Sequence, residues 1–169
     1  RVSLPDMLVA MEVAEAVDPH ALTEIVAAIR PLLGREIPLD KAAHVAQSCV
    51  RLTEASGEVE DLCQALSARA RVHFVAGRWE ESFADLERAI ALALDADLLA
   101  LAAAFENQLG SHLLPRGEVE RAEALYMAGL SHARAVDDAW LEGRGLTGLA
   151  RVQLYADRRQ AALEYFKEA

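Results

Sequence analysis

Residues 149–169 read LARVQLYADRRQAALEYFKEA, and the same order of small and bulky side chains occurs 40 and 80 residues earlier. The small residues form three columns: Ala42, Ser82, Ala122 and Ala162; Cys49, Ala89, Gly129 and Ala169; and Ala70, Gly110 and Ala150. Bulky residues keep the same spacing: Leu86, Tyr126 and Phe166, and Val50, Ile90 and Leu130. Self-similarity at a fixed period of about 20 to 50 residues is typical of stacked supersecondary units. The sequence therefore predicts a repeat protein, which favours a binding scaffold over a catalyst.

The composition favours helices. Apolar residues make up 53% of the chain and aromatic residues only 5%. Alanine and leucine dominate, and both are strong helix formers, whereas β-branched and aromatic residues favour strands. In each unit the apolar residues recur at helical spacing on both sides of a turn. Small residues on two facing helices let the backbones cross closely. We therefore predict an all-α fold of antiparallel helix hairpins.

The repeat also predicts how the chain is organised. We place units at about 18–56, 57–96, 97–136 and 137–169, preceded by one helix at 4–17, all in a single repeat domain over 1–169. The first unit breaks the pattern, because Arg30 and Pro31 stand where a small residue is expected. Leu163 and Phe166 have no following hairpin to cover them, although terminal repeats normally need a polar cap. We expect a fragment of a larger protein, or a homodimer formed through the uncapped terminal helices.

The net charge limits which partners the chain can bind, and the cysteine content indicates its environment. The formal net charge of −10 repels phosphate backbones, so we expect no direct nucleic-acid binding. Two cysteines, Cys49 and Cys63, do not make a disulfide framework, which indicates a reduced, cytoplasmic protein. Cys49 also occupies a column of small residues, which indicates that it is a packing residue. The most apolar stretch, residues 89–105, is interrupted by Asp95 and Asp97 and is too short to span a membrane.

With its columns in place, the chain resembles the tetratricopeptide repeat (TPR) family. The last unit carries the family pattern at Leu149, Ala150, Tyr155, Asp157, Ala162, Phe166 and Ala169. The middle units carry it at Ala70, Phe74, Gly77, Trp79, Ser82 and Ala89, and at Leu109, Gly110, Gly117, Ala122, Tyr126 and Gly129. The family repeat is usually about 34 residues long, and its helix-ending proline is absent here. The longer unit looks like the long-helix, MalT-like variant of bacterial regulatory proteins, which implies a right-handed superhelix, a TPR-like α-solenoid.

The resemblance also implies a concave groove lined by the first helix of each hairpin. The corresponding residues of the predicted peptide- or partner-binding groove are Gln64, Arg71, Phe74, Asn107, Ser111, Arg144, Thr147, Arg151 and Tyr155, with Ser67 and Leu114 in the same lining. Arginine and asparagine here would hold a peptide backbone or carboxylate by charge-assisted hydrogen bonds. The alternative is that the arginines pair with local glutamates. The lysines and asparagines of the family's chaperone-type carboxylate clamp are not matched.

Other motifs carry no predicted chemistry. Gly143, Gly145 and Gly148 satisfy G-x-G-x-x-G, but a dinucleotide site needs a preceding strand, so we assign these glycines to helix packing. None of the five histidines has zinc-ligand spacing, although His112 and His132 fall on facing helices and are expected to approach each other. No nucleophile motif is present. We expect no catalytic residue, no metal and no cofactor.

Acidic pairs mark the joints between hairpins. Asp95 and Asp97 form one pair, and Asp137 and Asp138 form the next. We expect these carboxylates at helix starts, where they cap free N–H groups and complement the helix dipole.

The leading hypothesis is a non-enzymatic protein–protein or peptide interaction module. The resemblance implies a regulatory or sensor segment of a bacterial signalling or transcription-regulatory protein. Its partner would be a protein, an extended peptide or another domain of the parent chain. The alternative is a sensor of a small molecule or signalling peptide that gates an attached effector domain.

Overall fold

A computed structural model of the chain describes residues 38–169, which form seven α-helices and no β-strand. The helices are α1 (Leu39–Ser56), α2 (Val59–Val75), α3 (Trp79–Asp95), α4 (Leu99–Leu113), α5 (Val119–Ala135), α6 (Ala139–Tyr155) and α7 (Arg159–Glu168). A 3₁₀ turn, Leu114–Arg116, follows α4. The predicted all-α class is confirmed. The predicted helix 4–17, residues 18–37 and the irregular Arg30–Pro31 position lie outside the described residues.

The chain divides into two compact units, one ending at Leu92 and the other comprising Ala93–Ala169. In the first unit α1 packs against α2, and the Cys63 thiol on α2 donates to the carbonyl of Ala89 on α3 at 3.6 Å. In the second unit α4 packs against α5, α5 against α6 and α6 against α7, and α4 also contacts α6. Consecutive helices therefore pair as hairpins. The predicted single domain over 1–169 stays a prediction.

The predicted small columns lie where helices cross. Ten of their members are buried, namely Ala42, Cys49, Ala70, Ser82, Ala89, Gly110, Ala122, Gly129, Ala150 and Ala162, and Ala169 is exposed. A methyl group added at Gly129 on α5 would lie 3.2 Å from the carbonyl oxygen of Ala103 on α4. A larger residue there would force the two backbones apart, which explains why the column holds only small side chains.

Both cysteines are reduced and buried, as the predicted packing role requires. Burial, with the negative charge of Glu60, raises the pKa of Cys63 to about 11. The thiolate is the reactive form of cysteine, so Cys63 stays protonated and unreactive at neutral pH.

The turns carry a second period that the small columns do not show. A residue with positive φ, between 54° and 78°, recurs every 20 residues: Gly57, Gly77, Asp97, Gly117, Asp137 and Asp157. After α3, for example, Leu98 donates its N–H to the carbonyl of Ala93 at 2.8 Å, which closes the helix end around the left-handed residue. Each 40-residue unit thus contains two helix ends of the same geometry.

The structure corrects the predicted role of three aspartates. Asp95 is the last residue of α3 and not part of a helix start. Asp97 and Asp137 do not cap the helices that follow them, because their left-handed backbones end the helices before them. Aspartate tolerates this conformation better than most residues, which is why it alternates with glycine. The capping prediction is correct for Asp138, whose carboxylate accepts a hydrogen bond from the N–H of Leu141 at 2.9 Å.

Asp97→Gly is expected to raise the free energy of unfolding by about 0.5–1 kcal/mol, because glycine adopts positive φ without a steric cost. Asp138→Ala is the matched control. It removes the cap of α6 and is expected to lower the free energy of unfolding by about 1 kcal/mol. Urea unfolding followed by circular dichroism measures both. A lower stability for Asp97→Gly would show that the carboxylate, rather than the turn geometry, matters at this position.

Candidate functional site

A pocket of about 460 Å³ opens in the unit of residues 93–169. It is lined by Asn107 and Ser111 from α4, Tyr126 from α5, and Trp140, Arg144, Thr147 and Arg151 from α6. Gly143 and Gly148 also line it, and their lack of side chains leaves space between the helices. No aspartate or glutamate side chain is among the described residues that line this pocket.

Five residues of the predicted groove come together in this pocket: Asn107, Ser111, Arg144, Thr147 and Arg151. Their spacing of three or four residues along α4 and α6 puts them on one face of each helix. Tyr155, one turn beyond Arg151, is 55% exposed and lies outside the pocket.

The other predicted groove residues lie on α2, in the unit that ends at Leu92. The Arg71 guanidinium lies 5.9 Å from the ring centroid of Phe74. Phe74 in turn packs edge-on against Trp79, with centroids 5.4 Å apart. Gln64 is half-buried on the same helix. Arg71, Phe74 and Trp79 form an aromatic and cationic cluster of their own.

Two positions of the predicted lining are wrong. Ser67 and Leu114 are both 0% exposed, so neither presents a surface to a partner. Leu114 begins the 3₁₀ turn after α4, where the tighter winding carries it into the core.

Trp140 and Tyr126 line the pocket although the sequence predicts neither of them there, and the buried one of the two is Tyr126. Its ring lies between two glycines, Gly110 on α4 and Gly148 on α6. A methyl group added at Gly110 would lie 3.0 Å from ring atoms, and one at Gly148 would overlap the ring. Because neither glycine has a side chain, a tyrosine on the second helix of a hairpin reaches between the first helices. The signal in the sequence is the pair of glycines. Only the three-dimensional packing of the helices shows that both glycines contact Tyr126.

The hydroxyl of Tyr126 is buried without a protein partner. The residue is 2% exposed, and its oxygen makes no hydrogen bond within residues 38–169. Burial raises the pKa of Tyr126, and the positive charges of Arg151 and Arg144 lower it in part. The phenol is therefore protonated at neutral pH and lies within electrostatic reach of both guanidinium groups.

The two arginines differ in their surroundings. The Arg144 guanidinium carbon lies 4.8 Å from the ring centroid of Trp140, a cation–π contact, and Trp140 is 67% exposed. Arg151 is exposed and forms no ion pair with a carboxylate in the described part of the chain. Local pairing with glutamate, the alternative weighed for these arginines, thus does not account for Arg151.

Asn107 is a floor residue of the pocket rather than an exposed contact. It is 2% exposed, and its side-chain amide donates to the carbonyl of Leu141 on α6 at 3.4 Å. The amide therefore links α4 to α6.

The surroundings of His132 and His112 indicate a structural role for both. His132 Nδ1 lies 2.9 Å from Glu106 Oε2, which joins α5 to α4. Burial raises the pKa of Glu106, and the hydrogen bond and charge of His132 lower it in part. His112 is buried on α4, and its predicted approach to His132 stays a prediction. Residues 38–169 contain no group of three histidine, cysteine or acidic side chains that could hold a metal ion.

The glycine motif lies inside α6, as its assignment to helix packing requires. The added methyl group at Gly145 would lie 3.3 Å from Cβ of Leu130, and Gly148 contacts Tyr126. No strand precedes the motif in the described chain, so the geometry of a dinucleotide site is missing. Within the same residues, no helix combines the length and the apolar character that a membrane span requires.

No family model and no curated protein matches this sequence. Solved structures do match. BtubC from P. vanneervenii aligns with a TM-score of 0.73 at 19% identity, over 89% of this chain and 63% of BtubC. The apo form of RapI aligns with a TM-score of 0.74 at 13% identity, over 93% of this chain and 55% of RapI. The chain thus spans less than two thirds of either protein.

A third match carries the repeat in its description. A putative kinesin light chain from P. anserina, with nearly identical TPR-like repeats, aligns with a TM-score of 0.55 at 16% identity, over 98% of this chain and 92% of that one. Identities this low show the fold alone. The chain therefore has the fold of a TPR-like α-solenoid, built from antiparallel helix hairpins.

Proposed function

We propose that this chain is a non-enzymatic interaction module that binds an extended segment of a partner protein at the pocket on α4 and α6. One observation carries the proposal: Arg144, Arg151, Ser111 and Thr147 gather in one pocket with no acidic side chain, although the whole chain has a net charge of −10. A fold shared with other helical-repeat proteins supports the class of function but does not fix the partner.

The pocket has the chemistry that a peptide requires. Its volume of about 460 Å³ lies within the usual range of about 300–1,000 Å³ for ligand sites. An extended peptide brings unpaired backbone groups, which the hydroxyl and guanidinium groups can satisfy. Trp140, 67% exposed at the rim, belongs to the residue types that dominate interface energies.

The parent protein in this proposal is a bacterial, cytoplasmic signalling or transcription-regulatory protein with a MalT-like sensor segment, as the sequence resemblance implies. Its partner is a separate protein or another domain of the parent chain. A homodimer through α7 is part of the proposal, since Leu163 and Phe166 are 53% and 46% exposed. Sedimentation equilibrium that gives the mass of a monomer at every concentration would rule the dimer out.

Selection from a displayed library of extended peptides tests the module. Arg144→Glu combined with Arg151→Glu is expected to lower the affinity for the selected peptides at least about 30-fold, because two attractive charges become repulsive. Arg159→Glu is the matched control, since its side chain is 85% exposed on α7 and outside the pocket. Circular dichroism should show equal helicity for all variants. Unchanged peptide affinity in the double variant would remove the pocket from the proposal.

The second candidate is a sensor of a small molecule or signalling peptide that gates an attached effector domain. The buried Tyr126 hydroxyl favours it, because a small ligand in the pocket would supply the missing hydrogen bond. Small-angle scattering against a metabolite library tests it. The sensor hypothesis requires that a ligand change the compactness of the protein. If no ligand changes it, the result counts against the hypothesis.

A further inference from the structure

We infer that the pocket is an oxyanion site, in which the Tyr126 hydroxyl and the guanidinium groups of Arg144 and Arg151 bind a carboxylate or phosphoryl group of the partner's side chain. The inference rests on the proposed function, because it names the chemical group that the bound segment brings to this pocket.

The Tyr126 hydroxyl is the first support. The residue lines the pocket and is 2% exposed, and its buried hydroxyl makes no hydrogen bond to the described residues. Buried polar groups in proteins are nearly always hydrogen-bonded, so a bound group is the natural partner. Burial raises the pKa of Tyr126, which keeps the proton on the phenol and makes it a donor to an anion.

The arginines are the second support. Arg144 and Arg151 are two turns apart on α6, so they project from the same face, with Thr147 between them. The planar guanidinium matches the oxygens of a carboxylate or phosphoryl group in a bidentate geometry. The contact of Arg144 with Trp140 restricts its side chain, which reduces the entropy lost when it binds an anion.

Donors from two helices line the same space: Tyr126 comes from α5, and Thr147 and the arginines come from α6. Ser111 on α4 also lines it, but its hydroxyl already donates to the carbonyl of Gln108 at 2.7 Å. This arrangement suits an anion with oxygens on several sides. A carboxylate and a phosphoryl group share that chemistry, and the experiment separates them.

Trp140 reports binding at the pocket rim. The chain has two tryptophans, so Trp79→Phe leaves Trp140 as the only indole. The protein is prepared with a Gly-Ser tail after Ala169, which also lines the pocket, so that no terminal carboxylate competes. Inorganic phosphate and acetate are titrated against chloride at constant ionic strength. We expect a saturable change in indole fluorescence with phosphate, acetate or both.

Tyr126→Phe in this background is expected to weaken anion binding at least about tenfold, because a hydrogen bond to a charged group is lost. Its thermal stability should not fall, since the hydroxyl has no protein partner to lose. Tyr165→Phe, on α7 outside the pocket, is the matched control. Equal anion affinity in Tyr126→Phe and the parent would overturn the inference.

The selected peptides separate this inference from the proposed function. Each acidic residue of a peptide is replaced by its amide, and then by phosphoserine. We expect one position to lose at least about tenfold in affinity as the amide. Recovery with phosphoserine beyond the original acid identifies a phosphoryl site, and no recovery identifies a carboxylate site. Peptides that bind without any such position overturn the oxyanion site and leave the module intact. Anion binding that depends on Tyr126, combined with a failure to select any peptide, overturns the interaction module and leaves the oxyanion site intact.

Discussion

Asp85→Leu is expected to lower the free energy of unfolding by about 3 kcal/mol, because it strands a largely buried guanidinium. Asp85 on α3 accepts hydrogen bonds from Arg69 on α2 at 2.8 Å and 2.6 Å. The two side chains are 9% and 16% exposed. Arg69 keeps a bond to Gln47 at 3.0 Å, which does not replace the lost negative charge.

The same unit offers a matched control. Arg88 on α3 and Glu54 on α1 form an ion pair at 2.7 Å, but their side chains are 47% and 42% exposed. Glu54→Leu is therefore expected to cost less than about 1 kcal/mol. Asp85→Leu combined with Arg69→Met should recover most of the loss, since no charge is then left without a partner. Urea unfolding measures all four proteins. Equal losses at the buried and the exposed pair would contradict the argument from burial.

His73 gives an independent measurement of the same change. Its Nε2 lies 3.6 Å from Asp85 Oδ2. Burial lowers the pKa of His73, Asp85 raises it in part, and the charges of Arg78 and Arg69 lower it. Asp85→Leu should therefore lower the pKa of His73 further, as an NMR titration would show. A lowered pKa in the folded state favours neutral histidine, so its stability contribution is present above the unfolded pKa and is lost as the pH falls through the folded one. The variant should lose more stability than the parent at acidic pH.

The helical class and the close crossings were predictable from the sequence. A small residue at a crossing point repeats wherever the crossing repeats, so the column of Ala42, Ser82, Ala122 and Ala162 marks buried positions directly. The period of the turns was not predictable in the same way. Gly57 and Asp97 are unlike in size and charge, and they share only a tolerance of positive φ.

The pocket residues also differ in whether the sequence could predict them. The spacing of Arg144, Thr147 and Arg151 along α6 follows from helix geometry, so their common face could be predicted. Tyr126 could not, because its position depends on what the facing helices lack, namely side chains at Gly110 and Gly148. A sequence pattern within one helix contains no information about empty space on two others.

Gly148→Ala is expected to lower the free energy of unfolding by about 2 kcal/mol, although alanine in place of glycine inside a helix normally adds about 1 kcal/mol. The new methyl group would overlap the Tyr126 ring. The ring has little room to retreat, because a methyl group added at Gly110 on its other face would lie only 3.0 Å from it. Gly143→Ala on the same helix is the control, since its methyl group would lie 3.5 Å from the nearest atom, an ordinary contact. That variant should be more stable than the parent.

A double-mutant cycle with Tyr126→Leu shows whether the ring causes the loss. Once the ring is absent, Gly148→Ala should cost nothing or stabilise the helix, because only the propensity of alanine remains. A loss of about 2 kcal/mol that persists in the Tyr126→Leu background would place the strain elsewhere. The single variant also has a consequence for binding. Displacing the ring moves the hydroxyl away from Arg144 and Arg151, so Gly148→Ala should weaken anion binding as Tyr126→Phe does, although both arginines are intact. Gly143 also lines the pocket, but its methyl group contacts no ring, so Gly143→Ala should leave the Tyr126 hydroxyl in place.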